Sequence, residues 1–233
     1  MDTDINIAVI GTGKTGGEVL RLLPGERVTG PFDSSNAPTE EALREADAAV
    51  IFVPPGAAGE ILETVLASEV PAAWGTTGFE WPGDLDARLR KRGTSWIRAS
   101  NFSLGMNIIR HCLGVISVGS GVLDEPVFHI HEVHHAQKQD APSGTALAWK
   151  EWLGREAEIT SERKGDIKGI HRLTVKTRPE TLTLQHEAHE RTVFAKGALW
   201  AARQLHAGAA EPGFHDFSEL FDRIASRRSD PEN

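Results

Sequence analysis

Cysteine is nearly missing from this chain: Cys112 is the only one among 233 residues. No intrachain disulfide can form, which suits a reducing cytosol. Cys112 sits beside Leu113 and reads as a small buried residue rather than a reactive thiol. No apolar run reaches the roughly 18 residues a membrane-crossing helix needs. The opening residues Met1-Asp2-Thr3-Asp4 lack the basic and apolar regions of a secretory signal, so a cytoplasmic location is expected. Positive charge is also scarce. The 25 Lys and Arg residues face 33 Asp and Glu, a net charge of −8. That balance argues against non-specific binding to nucleic acid or a membrane surface. Any anionic ligand therefore needs a local reversal of the field. Internal repeats and low-complexity tracts are missing too.

What is present describes a folded α/β protein. The length allows one large domain or two modest ones, and 39% hydrophobic with 25% charged residues is the composition of a soluble globular chain. Residues 5–10 form a short β-rich run that ends in Gly11-Thr12-Gly13-Lys14-Thr15-Gly16, and an amphipathic helical stretch follows. Strand, glycine turn and helix in this order fit a pyrophosphate, because glycines permit a tight turn and the helix N-terminus attracts the anion. A second strand over residues 27–32 ends at Asp33, 22 residues after Gly11, where a carboxylate accepts from ribose hydroxyls. No Lys or Arg lies within residues 34–43 to receive a 2′-phosphate. The expected cofactor is therefore NADH in preference to NADPH.

Further strands are expected over residues 46–53, 70–74 and 95–99, with a helix over 60–66. The turns Gly75-Thr76-Thr77-Gly78 and Ala99-Ser100-Asn101-Phe102 close two of these strands. Alternating strands and helices imply parallel βαβ units, in which ligands bind at the carboxyl ends of the strands. Residues 11–16, Asp33, 75–77 and 99–102 should thus line one crevice. From about residue 105 the pattern changes. A helix is expected over 107–114, strands over 126–133, 172–176 and 181–188, and helices over 194–205 and 217–224. Residues 154–168 read as a mobile loop and 226–233 as a frayed tail.

The densest chemistry lies in Glu132-Val133-His134-His135-Ala136-Gln137-Lys138-Gln139-Asp140-Ala141-Pro142-Ser143-Gly144-Thr145. Two imidazoles titrate near neutrality and Lys138 carries a mobile ammonium. Ser143, Gly144 and Thr145 precede a helix-like run, so their N–H groups can receive a carboxylate. A second reading places His129, His131 and His135 on one strand face as zinc ligands. The strand should end near Val133 and no cysteine cluster supports that reading, so no metal is expected.

These segments resemble the 4-hydroxy-tetrahydrodipicolinate reductase (dihydrodipicolinate reductase) family of lysine and diaminopimelate biosynthesis. The similarity is carried by residues 11–16, 75–78, 99–105 and 132–146. It extends to 163–169 and to a His-x-Ala-His-x-Arg-x-x-Phe-Ala-x-Gly-Ala run over 186–198. Departures are Thr15 in place of the usual methionine, Val53 where a hydroxyl residue is common, and Ile170 before His171. The resemblance implies a Rossmann-like dinucleotide-binding domain over 1–104 and 193–233. It also implies an α+β domain over 105–192, with a mixed open sheet, for substrate binding and tetramerisation. His134 would be the proton donor/acceptor, and Lys138 the proton donor. His135, Ser143, Gly144, Thr145 and Thr77 would bind substrate carboxylates. The cofactor would lie against Gly11, Thr12, Gly13, Lys14, Thr15, Gly16, Asp33, Gly75, Thr76, Thr77, Ala99, Ser100, Asn101 and Phe102. The alternative is another nicotinamide-dependent imine or amino-acid dehydrogenase of the same architecture.

Overall fold

A computed structural model describes residues 5–23 and 27–229. The acidic opening residues 1–4 and the last residues of the expected tail, 230–233, lie outside the described residues. The chain divides into two compact units, residues 1–103 with 192–233, and residues 104–191. Among the described residues no helix is long and apolar enough to cross a membrane.

The first unit is built on a six-stranded sheet in the order β10-β5-β4-β3-β1-β2, parallel throughout. Its strands are β1 Ile7–Ile10, β2 Val28–Phe32, β3 Ala48–Ile51, β4 Ala72–Trp74, β5 Ser95–Arg98 and β10 Gly213–Asp216. Every residue of β1, β3 and β4 is buried. A parallel sheet covered on both faces needs such unbroken apolar runs, which is why these strands were legible. The helices are α1 Lys14–Leu22, α2 Glu40–Arg44, α3 Pro55–Ser68, α4 Leu85–Arg92, α7 Thr192–His206 and α8 Phe217–Ser229. Helix α7 packs on β3 and β4 and against α1, and its Ala195, Ala198, Ala201 and Ala202 are fully buried. The C-terminal segment thus completes a sheet begun at the N-terminus.

The second unit is an open mixed sheet in the order β7-β6-β8-β9. Strands β6 Val127–His134 and β7 Ala157–Arg163 pair in parallel, while β8 Ile170–Lys176 and β9 Thr181–Glu187 run antiparallel. Helices α5 Leu104–Gly119 and α6 Gly144–Leu153 build the core with it. Met106, Leu113, Ile130, Trp149, Leu153 and Leu173 pack together there, and Trp149 Nε1 donates to Met106 Sδ at 3.1 Å.

Three expectations fail. Cys112 is half-buried rather than buried. Residues 154–168 are not a loop, because β7 occupies Ala157–Arg163 with a full parallel register against β6. Charged residues hid it, since a strand with one polar face shows no apolar run. Nor does a frayed tail start at residue 226: α8 continues to Ser229.

Candidate active site

In the first unit, the segments after β1, β2, β3, β4 and β5 all leave the carboxyl edge of the sheet. A cavity of about 520 Å³ opens there, lined by Gly11, Thr12, Gly13, Asp33, Phe52 and Val53 among others. Gly11 has φ +93, and a Cβ on it would stand 2.2 Å from the Phe52 carbonyl oxygen. Gly16 is tighter still, as its Cβ would come 1.8 Å from the Gly11 carbonyl oxygen. Only glycine lets the turn fold back onto the start of α1. A Cβ on Gly13, by contrast, would meet nothing within 4 Å. The backbone at the N-cap of α1 therefore faces open space, as a bound pyrophosphate would require. Lys14 and Thr15 occupy the first helical turn.

Asp33 is half-buried beside this cavity. Its Oδ1 accepts from the Ser35 N–H at 2.9 Å, the Ser35 hydroxyl at 2.7 Å and the Asn36 N–H at 3.2 Å. Thr12 Oγ1 donates to Oδ2 at 3.3 Å. The Ser35 hydroxyl foremost lowers the Asp33 pKa, so the group is an anion at neutral pH. Thr76 is buried and donates to the Val53 carbonyl at 3.1 Å, while Thr77 is exposed. Ala99 is tied to Trp74 by an N–H bond of 3.0 Å, Ser100 is exposed, and Phe102 is buried against Phe52 and Phe217. Asn101 caps its own turn by accepting from the Ser103 N–H at 2.9 Å. Of the residues expected in a nucleotide crevice, Gly11, Thr12, Gly13 and Asp33 line this cavity, while residues 75–77 and 99–102 are not among its lining.

The second unit holds the proton chemistry. Strand β6 places Glu132 and His134 on the same face, two residues apart. Glu132 is fully buried, and one of its oxygens accepts a hydrogen bond from His134 Nδ1. Arg163 Nη2 donates to the other oxygen at 2.8 Å, and the Ser143 N–H approaches it at 3.3 Å. Burial raises the Glu132 carboxyl, but the bonds from Arg163, Ser161 and His134 outweigh it and bring the pKa to about 2. An ionised carboxylate can only accept, so the proton shared with it sits on Nδ1. Nε2 of His134 is then the working nitrogen. It holds a lone pair when the ring is neutral and a transferable proton when it is charged. Burial lowers the His134 pKa, partly opposed by Glu132.

His171, on β8, stacks edge-on to His134 with ring centroids 5.1 Å apart. Burial pushes it down to about 3, so it stays neutral. Its Nε2 lies 3.2 Å from Ser143 Oγ. That hydroxyl also accepts from the Ala146 N–H and caps α6. Ser143 is thus turned inward, whereas Gly144 is exposed and Thr145 half-buried in the first turn of the helix. His135 is half-buried, and its Nδ1 has no hydrogen-bond partner among the described residues. The Lys138 ammonium is gripped by both oxygens of Asp140 at 2.8 and 2.9 Å, and its charge is felt at His134.

Glu132, His134 and His171 bring potential metal-ligating atoms within 4.8 Å of one another, but both oxygens of Glu132 are already engaged by Arg163 and His134. His129 and His131, candidates for a second metal reading, converge instead on Thr160 Oγ1 at 2.8 and 2.9 Å. Sequence reasoning missed three members of the network: Glu132, Arg163 and His171. The Glu132-Val133-His134 spacing was a usable signal, because in a strand it puts a carboxylate and an imidazole on one face.

A parallel sheet with a glycine turn and a carboxylate at its carboxyl edge, joined in one chain to a carboxylate-backed imidazole on a separate sheet, defines a two-unit dinucleotide-linked oxidoreductase. The comparisons narrow the class. Residues 105–221 match the family model described as dihydrodipicolinate reductase, C-terminus. The chain is 34% identical to 4-hydroxy-tetrahydrodipicolinate reductase of Natronomonas pharaonis, with 92% of this chain and 99% of the relative aligned. It is 32% identical to the enzyme of the same name from Haloarcula marismortui, over 93% and 98% of the two chains. The dipicolinate-bound dihydrodipicolinate reductase from Paenisporosarcina sp. TG-14 shares the fold, with a TM-score of 0.68 at 20% identity over 92% and 98%. The chain belongs to the 4-hydroxy-tetrahydrodipicolinate reductase family.

Proposed function

We infer that this protein reduces 4-hydroxy-tetrahydrodipicolinate to tetrahydrodipicolinate, using NAD(P)H and releasing water, in lysine and diaminopimelate biosynthesis. The observation that carries the reading is the buried Glu132–His134 pair with its imidazole Nε2 uncommitted, set beside Lys138 and the first turn of α6. This is the equipment a dianionic ring needs when it gains a hydride and a proton.

The bound nicotinamide supplies the hydride. The chain's own groups do the rest. Gly144 and Thr145 offer N–H donors at the helix start for one carboxylate, and His135 and Thr77 serve the substrate's polar groups. Ser143 acts by capping the helix and orienting His171. Lys138 stabilises the charge developing on the ring and donates the proton, while His134 carries protons during loss of water. Residues 11–16, 75–77 and 99–102 receive the dinucleotide. Asp33 holds the adenosine ribose, and NADH is the preferred cofactor because no cation at residues 34–43 offsets that carboxylate.

A homotetramer formed through the second unit is supported by Val115, Val118 and Leu182, which stand exposed on α5 and β9, and by the open edge of β9. One cysteine in the whole chain fits a cytoplasmic enzyme. A single assay tests the central reading. Synthase product is supplied with NADH or NADPH, and nicotinamide absorbance is followed. Turnover is expected. Turnover of simple imines or oxo-acids instead, with none of this substrate, would overturn it in favour of another dehydrogenase of the same build.

A further inference from the structure

We propose that Arg163 is a positioning residue that fixes the two proton-handling groups, His134 and Lys138, relative to each other. The claim rests on the roles given to those two residues above. Strand β7 runs parallel to β6 with Arg163 opposite His134 and Ser161 opposite Glu132. Paired positions share a face, so the guanidinium lies on the side where Glu132 and His134 point.

Its donors divide between two tasks. Nη2 bonds the buried Glu132 carboxylate at 2.8 Å, behind His134. Nη2 also donates to the Asp140 carbonyl, and Nε donates to the Lys138 carbonyl at 3.3 Å. Nη1 is anchored on the Glu162 carbonyl at 2.8 Å. One planar fork thus grips the carboxylate that sets the His134 tautomer and the backbone on either side of Gln139. The Lys138 side chain is not restrained by Arg163; its ammonium is held by Asp140. Arg163 therefore fixes the Lys138 backbone and leaves its ammonium to Asp140. A lysine at 163 could supply the charge but not several donors in a rigid plane.

Arg163 also acts electrostatically on His134. The charged and titratable groups facing that ring are Glu132 on its own strand, Arg163 on β7, His171 on β8 and Lys138 from the following loop. His186 on β9 lies beyond them, opposite His171 in the sheet register. Arg163 and Lys138 both disfavour the imidazolium. Removing Arg163 takes away one of these cations and leaves Glu132 leaning on His134 alone, so the imidazole becomes more basic.

The test compares Arg163→Lys and Arg163→Ala in the full chain. In Arg163→Ala, the His134 titration midpoint, read by NMR of its ring nitrogens, should rise by at least half a unit. Its kcat should fall about 10²-fold with a smaller change in KM. Millimolar methylguanidinium should restore part of the lost kcat. Arg163→Lys should keep the His134 midpoint close to wild type and still lose about tenfold in kcat, because the loop has lost its fork. This variant retains a cation against Glu132 and carries the test if the alanine variant does not fold. An unmoved His134 midpoint in folded Arg163→Ala would overturn the proposal. So would a kcat loss that follows thermal stability and ignores methylguanidinium. The NMR midpoint needs no substrate, so failure of the assigned reaction would be seen separately from failure of the positioning role.

Discussion

Lys138 and Asp140, two residues apart, form a closed pair: the ammonium lies 2.8 and 2.9 Å from the two carboxylate oxygens. The lysine foremost lowers the Asp140 pKa, so that carboxyl is an anion at neutral pH. A dianionic substrate that recruits Lys138 must therefore compete with a carboxylate of the chain itself. Asp140→Asn should remove the competitor and lower KM for the dicarboxylate by about two- to fivefold, in keeping with the small worth of an exposed ion pair. Lys138→Ala should lower kcat by about 10²-fold or more, since acid catalysis and charge stabilisation go together. Steady-state kinetics of the two variants at equal ionic strength checks both, and an Asp140→Asn variant with raised KM would refute the competition.

Gly169 lies against the working edge of His134. A Cβ there would stand 3.1 Å from Nε2 and 3.4 Å from Cδ2. Gly169 has φ +158, so Gly169→Ala should cost some stability as well as crowd the nitrogen that exchanges protons, and kcat should fall by about tenfold at a temperature where the variant is folded. An alanine variant with wild-type kcat would show that the ring yields at no catalytic cost.

Acid should weaken the fold from near neutrality downward. The folded-state pKa values of His134, His171 and His186 lie below the ordinary 6.5, that of His171 at about 3, with burial as the leading cause. The unfolded chain takes up these protons first, so stability is full above pH 6.5 and drains as pH falls toward 3. Glu132 adds to the loss between its ordinary 4.5 and about 2, because its ionised form is the one bonded in the fold. Denaturant melts at pH 8 and pH 5 should differ by a few kcal/mol, and the difference should shrink in His171→Phe. An equal pH dependence in the variant would remove His171 from this account.

Asp33 should govern cofactor choice. Its carboxylate is held in place by Ser35, Asn36 and Thr12, and a 2′-phosphate would have to approach it directly. The kcat/KM ratio should favour NADH by at least about tenfold, a difference of about 1.4 kcal/mol, and Asp33→Ser should narrow it. A tenfold preference for NADPH in the unaltered protein would reverse the reading.

The parallel sheet was legible because β1 and β3 are apolar along their whole length, a pattern only double-sided burial explains. The glycine turn was legible because residue types with special freedom stand where the strand ends. Other elements gave no such signal. Helix α2 has five residues, and Gly213–Asp216 carries too few apolar positions to show a period. Strand β7 offers only Ala157 and Ile159 as apolar residues among polar and charged ones, and its inward-facing Arg163 looks solvent-exposed on paper. Glu132 misleads in the same way. A lone acid amid apolar neighbours resembles a strand's wet face until tertiary structure supplies the arginine that makes burial tolerable. The histidine pair and Lys138 stand out in the sequence as candidates, whereas Arg163 and His171 do not, since they reach the network from other strands.

Strand β10 joins the sheet only beside β5, and α7 covers β3 and β4, so more than a hundred residues separate those strands from their late-coming neighbours. The middle unit, by contrast, is one unbroken stretch of chain. During synthesis it can finish folding while the first five strands still wait for their cover. A chain truncated near residue 191 would carry a complete middle unit attached to a half-built frame, with β5 left as a raw edge open to aggregation.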